Sequence, residues 1–361
     1  MKPEYEGNRL LALDGWRGIA ILLVLFDHAS EASGGLLHKI SRTGATGVGL
    51  FFALSGFLIT TRLLREYTRF GYVNLFHFYV RRVFRLIPAS LTYLLTLCAL
   101  GSAGALTLTA QQFAASLLFF RNYIPMDTAG SGWFTGHFWS LAVEEHFYLL
   151  WPALLMRTKG KPLAPAILAC LVALWRYIDL RYHVIHAHLW FQGRSDVRMD
   201  GLLWGCVLAI LYSQPSFRQK LRHAYPGWLL LIFCAVDIGS NVLSGKHNYS
   251  PYEPLLLALI LVWPVLQAQS WLATLLDLAS LRWLGALSYS LYIWQELWLV
   301  FPGVPSGLRS LQSFPWNLAC VFACATLSYY FIEKPMIGLG HRLTSSDVAP
   351  SISPAFENSA A

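Results

Sequence analysis

Four ionisable side chains, Asp14, Arg17, Asp27 and His28, stand in the first long apolar stretch of the chain. Ionisable groups inside a bilayer are expensive, so they face a polar cavity and mark function. Arg17 and His28 lie eleven residues apart. On a helix rising about 1.5 Å per residue that is roughly 16 Å, and eleven steps of about 100° return to within about 20° of the starting direction. The two side chains therefore share one helix face, a guanidinium near one surface below an imidazole set deeper. That spacing suits a long donor with an anionic tail and a reactive end, such as an acyl-coenzyme A. A plainer reading has Arg17 snorkelling to lipid headgroups and His28 pairing with a neighbouring helix.

Other constellations follow. Arg81, Arg82 and Arg85 open a later apolar run; arginine binds phosphates bidentately, so Arg82 and Arg85 are candidates for the nucleotide end of a donor, or else face anionic lipid. Ser140 and Glu144, four apart, share a helix face, and Glu144 is a candidate to orient an imidazole or stabilise its charged form, the alternative being a buried carboxylate paired with an arginine such as Arg198. Arg194, Asp196, Arg198 and Asp200 begin another run; Arg198 and Asp200 are expected to pair structurally, with sugar-hydroxyl binding as a second possibility. His183, His186 and His188 form a loose cluster in a connecting segment, without a carboxylate or thiolate to complete a metal site. The six cysteines all sit in apolar runs and read as small buried residues. No metal site is expected.

Several long apolar elements must position these residues. Of the 361 residues 56% are hydrophobic and 13% charged, against about a quarter charged in a soluble domain, and the mean hydropathy is +0.48. This excludes a disordered chain, a disulfide scaffold and almost any soluble enzyme. Spans of about 20 residues are expected near 10–29, 44–61, 86–106, 133–156, 163–180, 197–213, 227–242, 254–269, 283–301 and 315–332, with 107–123 re-entrant or interfacial. Asp14 and Arg17 interrupt the first stretch, which argues against a cleavable signal. With a cytoplasmic N-terminus, seventeen lysines and arginines fall in cytoplasmic loops and seven in the opposite ones, the bias expected of cytoplasmic loops. The net charge of +8 has the same origin and calls for no nucleic acid. The expectation is an all-α polytopic transmembrane bundle of about ten spans, both termini cytoplasmic, forming one membrane domain over 1–343 and followed by a disordered tail over 344–361.

The segment Leu13-Asp14-Gly15-Trp16-Arg17-Gly18-Ile19-Ala20, followed by His28, resembles the opening of the type three acyltransferase family of integral membrane proteins. That family's signature is a basic residue, ten others and a histidine. The likeness continues in Gly47–Thr60 and in Phe78–Pro88, where Arg82 and Arg85 reproduce an Arg-x-x-Arg motif. It resumes in Phe138-Trp139-Ser140-Leu141-Ala142-Val143-Glu144-Glu145-His146-Phe147-Tyr148 and in Phe331-Ile332-Glu333-Lys334-Pro335. His146 stands where the family often has Gln, Gln295 where it often has His, and Asp27 beside His28 is not a family feature.

The resemblance implies O-acylation, often acetylation, of an envelope carbohydrate, glycolipid or secreted small molecule in the cytoplasmic (inner) membrane. Acyl-coenzyme A, in the first place acetyl-coenzyme A, is the expected co-substrate, with no permanently bound cofactor. Transfer from a thioester to a hydroxyl needs a base near pH 7, which imidazole supplies. His28 and Glu144 are then the catalytic candidates; Arg17, Arg82 and Arg85 bind the donor; Asp14, Ser140, Arg198 and Asp200 serve the acceptor or the structure. An acyl-histidine intermediate is the less economical variant. The rival classes are a polytopic transporter and an acyl carrier without turnover of its own. No inverted repeat supports a transporter, and no histidine here has the His-x-x-x-x-Asp spacing of the soluble-type acyltransferases.

Overall fold

The computed structural model describes residues 4–33, 43–125, 132–185, 193–244 and 250–344. They are helical, with no strand among the described residues. In chain order the helices are α1 (Glu4–Ser33), α2 (Gly44–Phe70), α3 (Leu75–Ser102), α4 (Ala110–Leu117), α5 (Phe138–Arg157), α6 (Leu163–Tyr182), the single turn α7 (Ser195–Arg198), α8 (Asp200–Ser213), α9 (Pro215–Ala224), α10 (Gly227–Ser244), α11 (Glu253–Leu266), α12 (Trp271–Leu276), α13 (Ala279–Trp298), α14 (Trp316–Ser328) and α15 (Lys334–Leu343).

All ten apolar segments expected from the sequence fall wholly or largely on helices. Three of them, α2, α3 and α6, are long and apolar enough to cross a membrane by length and composition. Leu163, Ile167, Leu171 and Leu174, spaced 4, 4 and 3 along α6, are each half or more exposed. Water would penalise such a continuous leucine stripe, whereas acyl chains accept it. The ambiguous stretch 107–123 becomes the short helix α4, started by a Thr109–Gln112 capping box, and a 3-10 turn Arg121–Tyr123. Of the expected tail only Thr344 lies within the described residues.

Close helix packing rests on small residues. A Cβ at Gly285 of α13 would stand 1.9 Å from the Asp14 carbonyl oxygen of α1, and one at Gly56 of α2 would stand 2.0 Å from that of Leu202 in α8. Without a side chain in the way, backbones approach closely enough for dispersion contacts to hold the helices together. These contacts make α1–α13 and α2–α8 the most intimate pairs of the bundle. α1 and α13 run in the same sense, Asp14 meeting Gly285 at one end and His28 meeting Glu296 at the other.

The connection from α2 to α3 is short and well capped. Gly71 adopts φ +76° and its N–H bonds the Tyr67 carbonyl, a left-handed helix end that glycine takes without strain. The Asn74 side chain accepts from the His77 N–H to start α3, and the Asn74 N–H donates to Glu66. The last turns of α2 and the first turns of α3 are thus held on one side of the molecule, with Arg62, Arg81, Arg82 and Arg85. At α14 the helix widens into a π turn, Tyr329–Glu333, which brings the Glu333 carboxylate to the Ser290 hydroxyl at 2.8 Å.

Candidate active site

Five guanidinium groups converge on one cavity of about 210 Å³: Arg17 from α1, Arg62 from α2, and Arg81, Arg82 and Arg85 from α3. Each has a different degree of neutralisation. Arg17 lies 3.4 Å from Asp14. Arg81 faces Glu66 at 3.9 Å and the Thr344 hydroxyl at 3.3 Å. Arg82 pairs with Glu145 at 3.4 Å and stands 3.3 Å above the Tyr148 ring, a cation–π contact. Arg62 and Arg85 make no hydrogen bond and no ion pair within 4.0 Å among the described residues. The field of this cluster reaches α15, where burial and then Arg62, Arg81 and Arg85 hold the His341 imidazole below its usual pKa. Converging cations in a poorly solvated cleft repel one another, and an anion relieves that repulsion.

Further in, the wall changes character. Glu144 accepts from the Ser55 hydroxyl at 3.1 Å and from the Tyr148 hydroxyl at 3.0 Å. Beyond it, the hydroxyls of Ser140 on α5 and Tyr292 on α13 lie 2.6 Å apart, and Tyr292 also donates to the His137 carbonyl at 3.1 Å. Both line the cavity, together with Arg17 and Glu144; His28 does not line it.

The His28 imidazole sits past that hydroxyl pair. Its Nδ1 lies 2.9 Å from the Val24 carbonyl oxygen, and its Nε2 is 3.9 Å from Oε1 of Glu296. The other carboxylate oxygen of Glu296 takes the His137 ring Nδ1 at 2.6 Å and the His137 backbone N–H at 3.0 Å. The Trp133 indole donates to the Glu296 carbonyl at 3.0 Å and its ring lies edge-on to His28 at 5.8 Å. Arg121 holds this stretch in shape by bonds to Thr135, Ile124 and Gly132.

Glu144 is therefore not the carboxylate that orients His28. It looks into the basic cavity, whereas Glu296 and His137 surround the imidazole, and neither was singled out from the sequence. The signal existed: Glu296 is the only Asp, Glu, Lys, Arg or His between residues 283 and 301, the same kind of intramembrane charge that marked His28. Nothing local ties a residue on the ninth apolar segment to one on the first; that requires the close α1–α13 contact.

Asp200, expected to pair with Arg198, has its direct ion pair with another arginine, while the charge of Arg198 still acts on it. Asp200 bonds Arg176 of α6 at 2.8 Å, and Arg194 bonds Asp179 of α6 at 2.7 Å, so these acids and bases clamp α6 to the start of α8. Arg194 also bonds its sequence neighbour Asp196, its Nε donating to a carboxylate oxygen at 3.1 Å, so local and distant partners are held together. Arg198 instead stands over the Trp139 ring, 5.5 Å from its centroid, and with Asp200 and Glu253 lines a small notch at the beginnings of α8 and α11. His146 bonds the Ser195 hydroxyl at 2.8 Å, a structural partner. Gln295, where the family often has histidine, is fully buried. His183 caps the end of α6; His186 and His188 lie outside the described residues.

An apolar helical bundle holding a basic cleft and a half-buried imidazole defines a membrane-embedded class of protein. The sequence model of the acyltransferase 3 family, an acyltransferase domain, matches residues 10–333, and the chain belongs to that family. Among curated relatives it is 30% identical over 373 residues to a Bacillus subtilis protein named "Putative peptidoglycan O-acetyltransferase YrhL" (93% of this chain, 56% of the relative). It is 28% identical over 366 residues to the O-acetyltransferase OatA of Staphylococcus aureus (93% of this chain, 58% of the relative). The chain thus spans less than two thirds of the length of either. No solved structure matches it.

Proposed function

We propose that this chain is an O-acyltransferase moving an acetyl group from acetyl-coenzyme A to a hydroxyl of an envelope carbohydrate. On this reading it crosses the cytoplasmic membrane about ten times, with both termini and the basic cavity on the cytoplasmic side. The observation that carries it is the convergence of Arg17, Arg62, Arg81, Arg82 and Arg85 on one cleft, two of them without an ion-pair partner among the described residues. A donor with three phosphates and a long neutral arm matches a cleft that is cationic at its mouth and lined by Ser55, Glu144 and Ser140 further in. The carbohydrate acceptor is supported by the names of the two relatives, one of which specifies peptidoglycan.

The chemistry assigned to His28 is general-base catalysis. The acceptor O–H bond breaks, its proton passes to the imidazole Nε2, and the oxygen forms a bond to the thioester carbonyl carbon. The C–S bond then breaks, and the coenzyme leaves as the thiol after taking the proton back from the imidazole. The Ser140–Tyr292 pair lines the cavity, and His28 lies outside that lining.

Purified protein in lipid nanodiscs, given acetyl-coenzyme A and glycan fragments, tests the proposal through release of free thiol. Acceptor-dependent release that vanishes in His28→Ala is expected. Mass spectrometry of envelope glycans from a deletion strain, complemented by wild type or His28→Ala, names the group and the acceptor. Passage of substrate across the bilayer without thioester cleavage would sink the reading in favour of a transporter.

A further inference from the structure

We infer that Glu296, locked in place by His137, is the positioning residue that faces Nε2 of His28 and carries the charge of its imidazolium form. This rests on His28 being the base of the proposed acyl transfer. Because the Val24 carbonyl can only accept, the His28 Nδ1 at 2.9 Å carries the ring proton in the neutral imidazole. The lone pair is thereby assigned to Nε2, the atom that faces Glu296. The second ring nitrogen's partner sets the tautomer, as a mechanistic histidine requires.

The carboxylate is aimed by its other oxygen. Both bonds from His137, ring and backbone, fall on Oε2, which leaves Oε1 directed at His28. At 3.9 Å that oxygen is too distant to be hydrogen-bonded to the neutral ring, yet close enough to stabilise a positive charge in a poorly solvated interior. The acceptor's proton arrives on Nε2 and later leaves with the coenzyme thiol, so nothing is consumed. Exposure separates the two histidines: 20% of the His28 side chain is accessible, against 1% for His137. An acceptor hydroxyl can reach the first and not the second. Other groups around this centre are the Tyr93 and Tyr292 rings against His137, Arg121, whose charge interacts with Glu296, and Asp27 beside His28 on α1.

The test compares Glu296→Gln, Glu296→Asp and wild type in nanodiscs for kcat, donor KM and the pH dependence of kcat, with folding followed by size exclusion and tryptophan fluorescence. In Glu296→Gln, kcat should fall about 10- to 100-fold, a part of the roughly 10²–10⁴-fold that a positioned base supplies. Donor KM should stay unchanged, and the acid limb of kcat should move to lower pH because the imidazolium has lost its counter-charge. Glu296→Asp, which keeps the charge, should keep the acid limb at the wild-type pH with a smaller loss of kcat; it decides alone should the Gln variant not fold. A folded Gln variant with wild-type kcat, or with an unmoved acid limb, overturns the inference, as does a displaced acid limb in the Asp variant. Wild-type protein that consumes no acetyl-coenzyme A would instead bring down the acyl-transfer reading, a separate outcome.

Discussion

The hydroxyls of Ser140 and Tyr292, 2.6 Å apart, stand between the basic cavity they line and the His137 carbonyl that Tyr292 bonds. One helix contributes each hydroxyl, so the contact ties α5 to α13 at the point where the donor cleft ends and the His28 environment begins. Replacing Tyr292 by Phe keeps the ring and deletes the bond. Stability should fall by about 1–2 kcal/mol, the cost of a buried hydroxyl bond, and hydrolysis of acetyl-coenzyme A without acceptor should rise as the partition loosens. Thermal unfolding in detergent and thiol release without glycan measure the two effects; unchanged hydrolysis would show that the pair separates nothing.

The arginines of the cleft should not be equivalent. Arg85 has no ion-pair partner among the described residues, whereas Arg82 is braced by Glu145 and Tyr148. Arg85→Ala should raise donor KM about 10- to 100-fold, matching the roughly 1.5–3 kcal/mol of a charged hydrogen bond, with little change in thermal stability. Arg82→Ala should raise KM and also lower stability, since it leaves Glu145 unpaired. Steady-state kinetics beside melting curves separates the two patterns.

Gly285 sets the distance between the helices that carry Arg17 and Glu296. An added Cβ would lie 1.9 Å from the Asp14 carbonyl oxygen, so Gly285→Ala must push α1 and α13 apart. A loss of about 1–3 kcal/mol is expected for such overpacking, with weaker donor binding as Arg17 moves. Gly239, around which a Cβ would meet nothing within 4 Å, is the control: alanine there should be neutral or stabilising by about 0.5–1 kcal/mol. Melting temperatures of the two variants make the comparison.

The buried Arg176–Asp200 pair should be costly to break and cheap to replace. Arg176→Ala strands a carboxylate that is 1% exposed and should cost about 3–5 kcal/mol, while a double change to Met and Leu should cost much less, the charges being removed together. Denaturation of the single and double variants checks this.

Donor affinity should depend on pH through His341. Burial, followed by repulsion from Arg62, Arg81 and Arg85, holds its imidazole below the ordinary value. A bound polyphosphate offsets that repulsion and raises the imidazole's pKa, so binding takes up a proton and tightens as pH falls through the histidine range. The gain is up to about tenfold for each unit of rise. Calorimetry with coenzyme A between pH 8 and pH 6 should show it, and His341→Asn should flatten it.

Hydropathy and helical spacing were enough to establish an apolar helical bundle and the positions of its long helices. Those features are local: a 3.6-residue period and the cost of a charge in lipid act on each segment by itself. Which charge meets which was not local. Glu144 was the nearer candidate for His28, and Asp200 the neighbour of Arg198, yet helix crossing gave His28 to Glu296 and Asp200 to Arg176. Glycines at the crossings bring backbones from distant parts of the chain within contact, and partners were decided there, because an ion pair or hydrogen bond depends on a few ångströms that only the packed bundle defines.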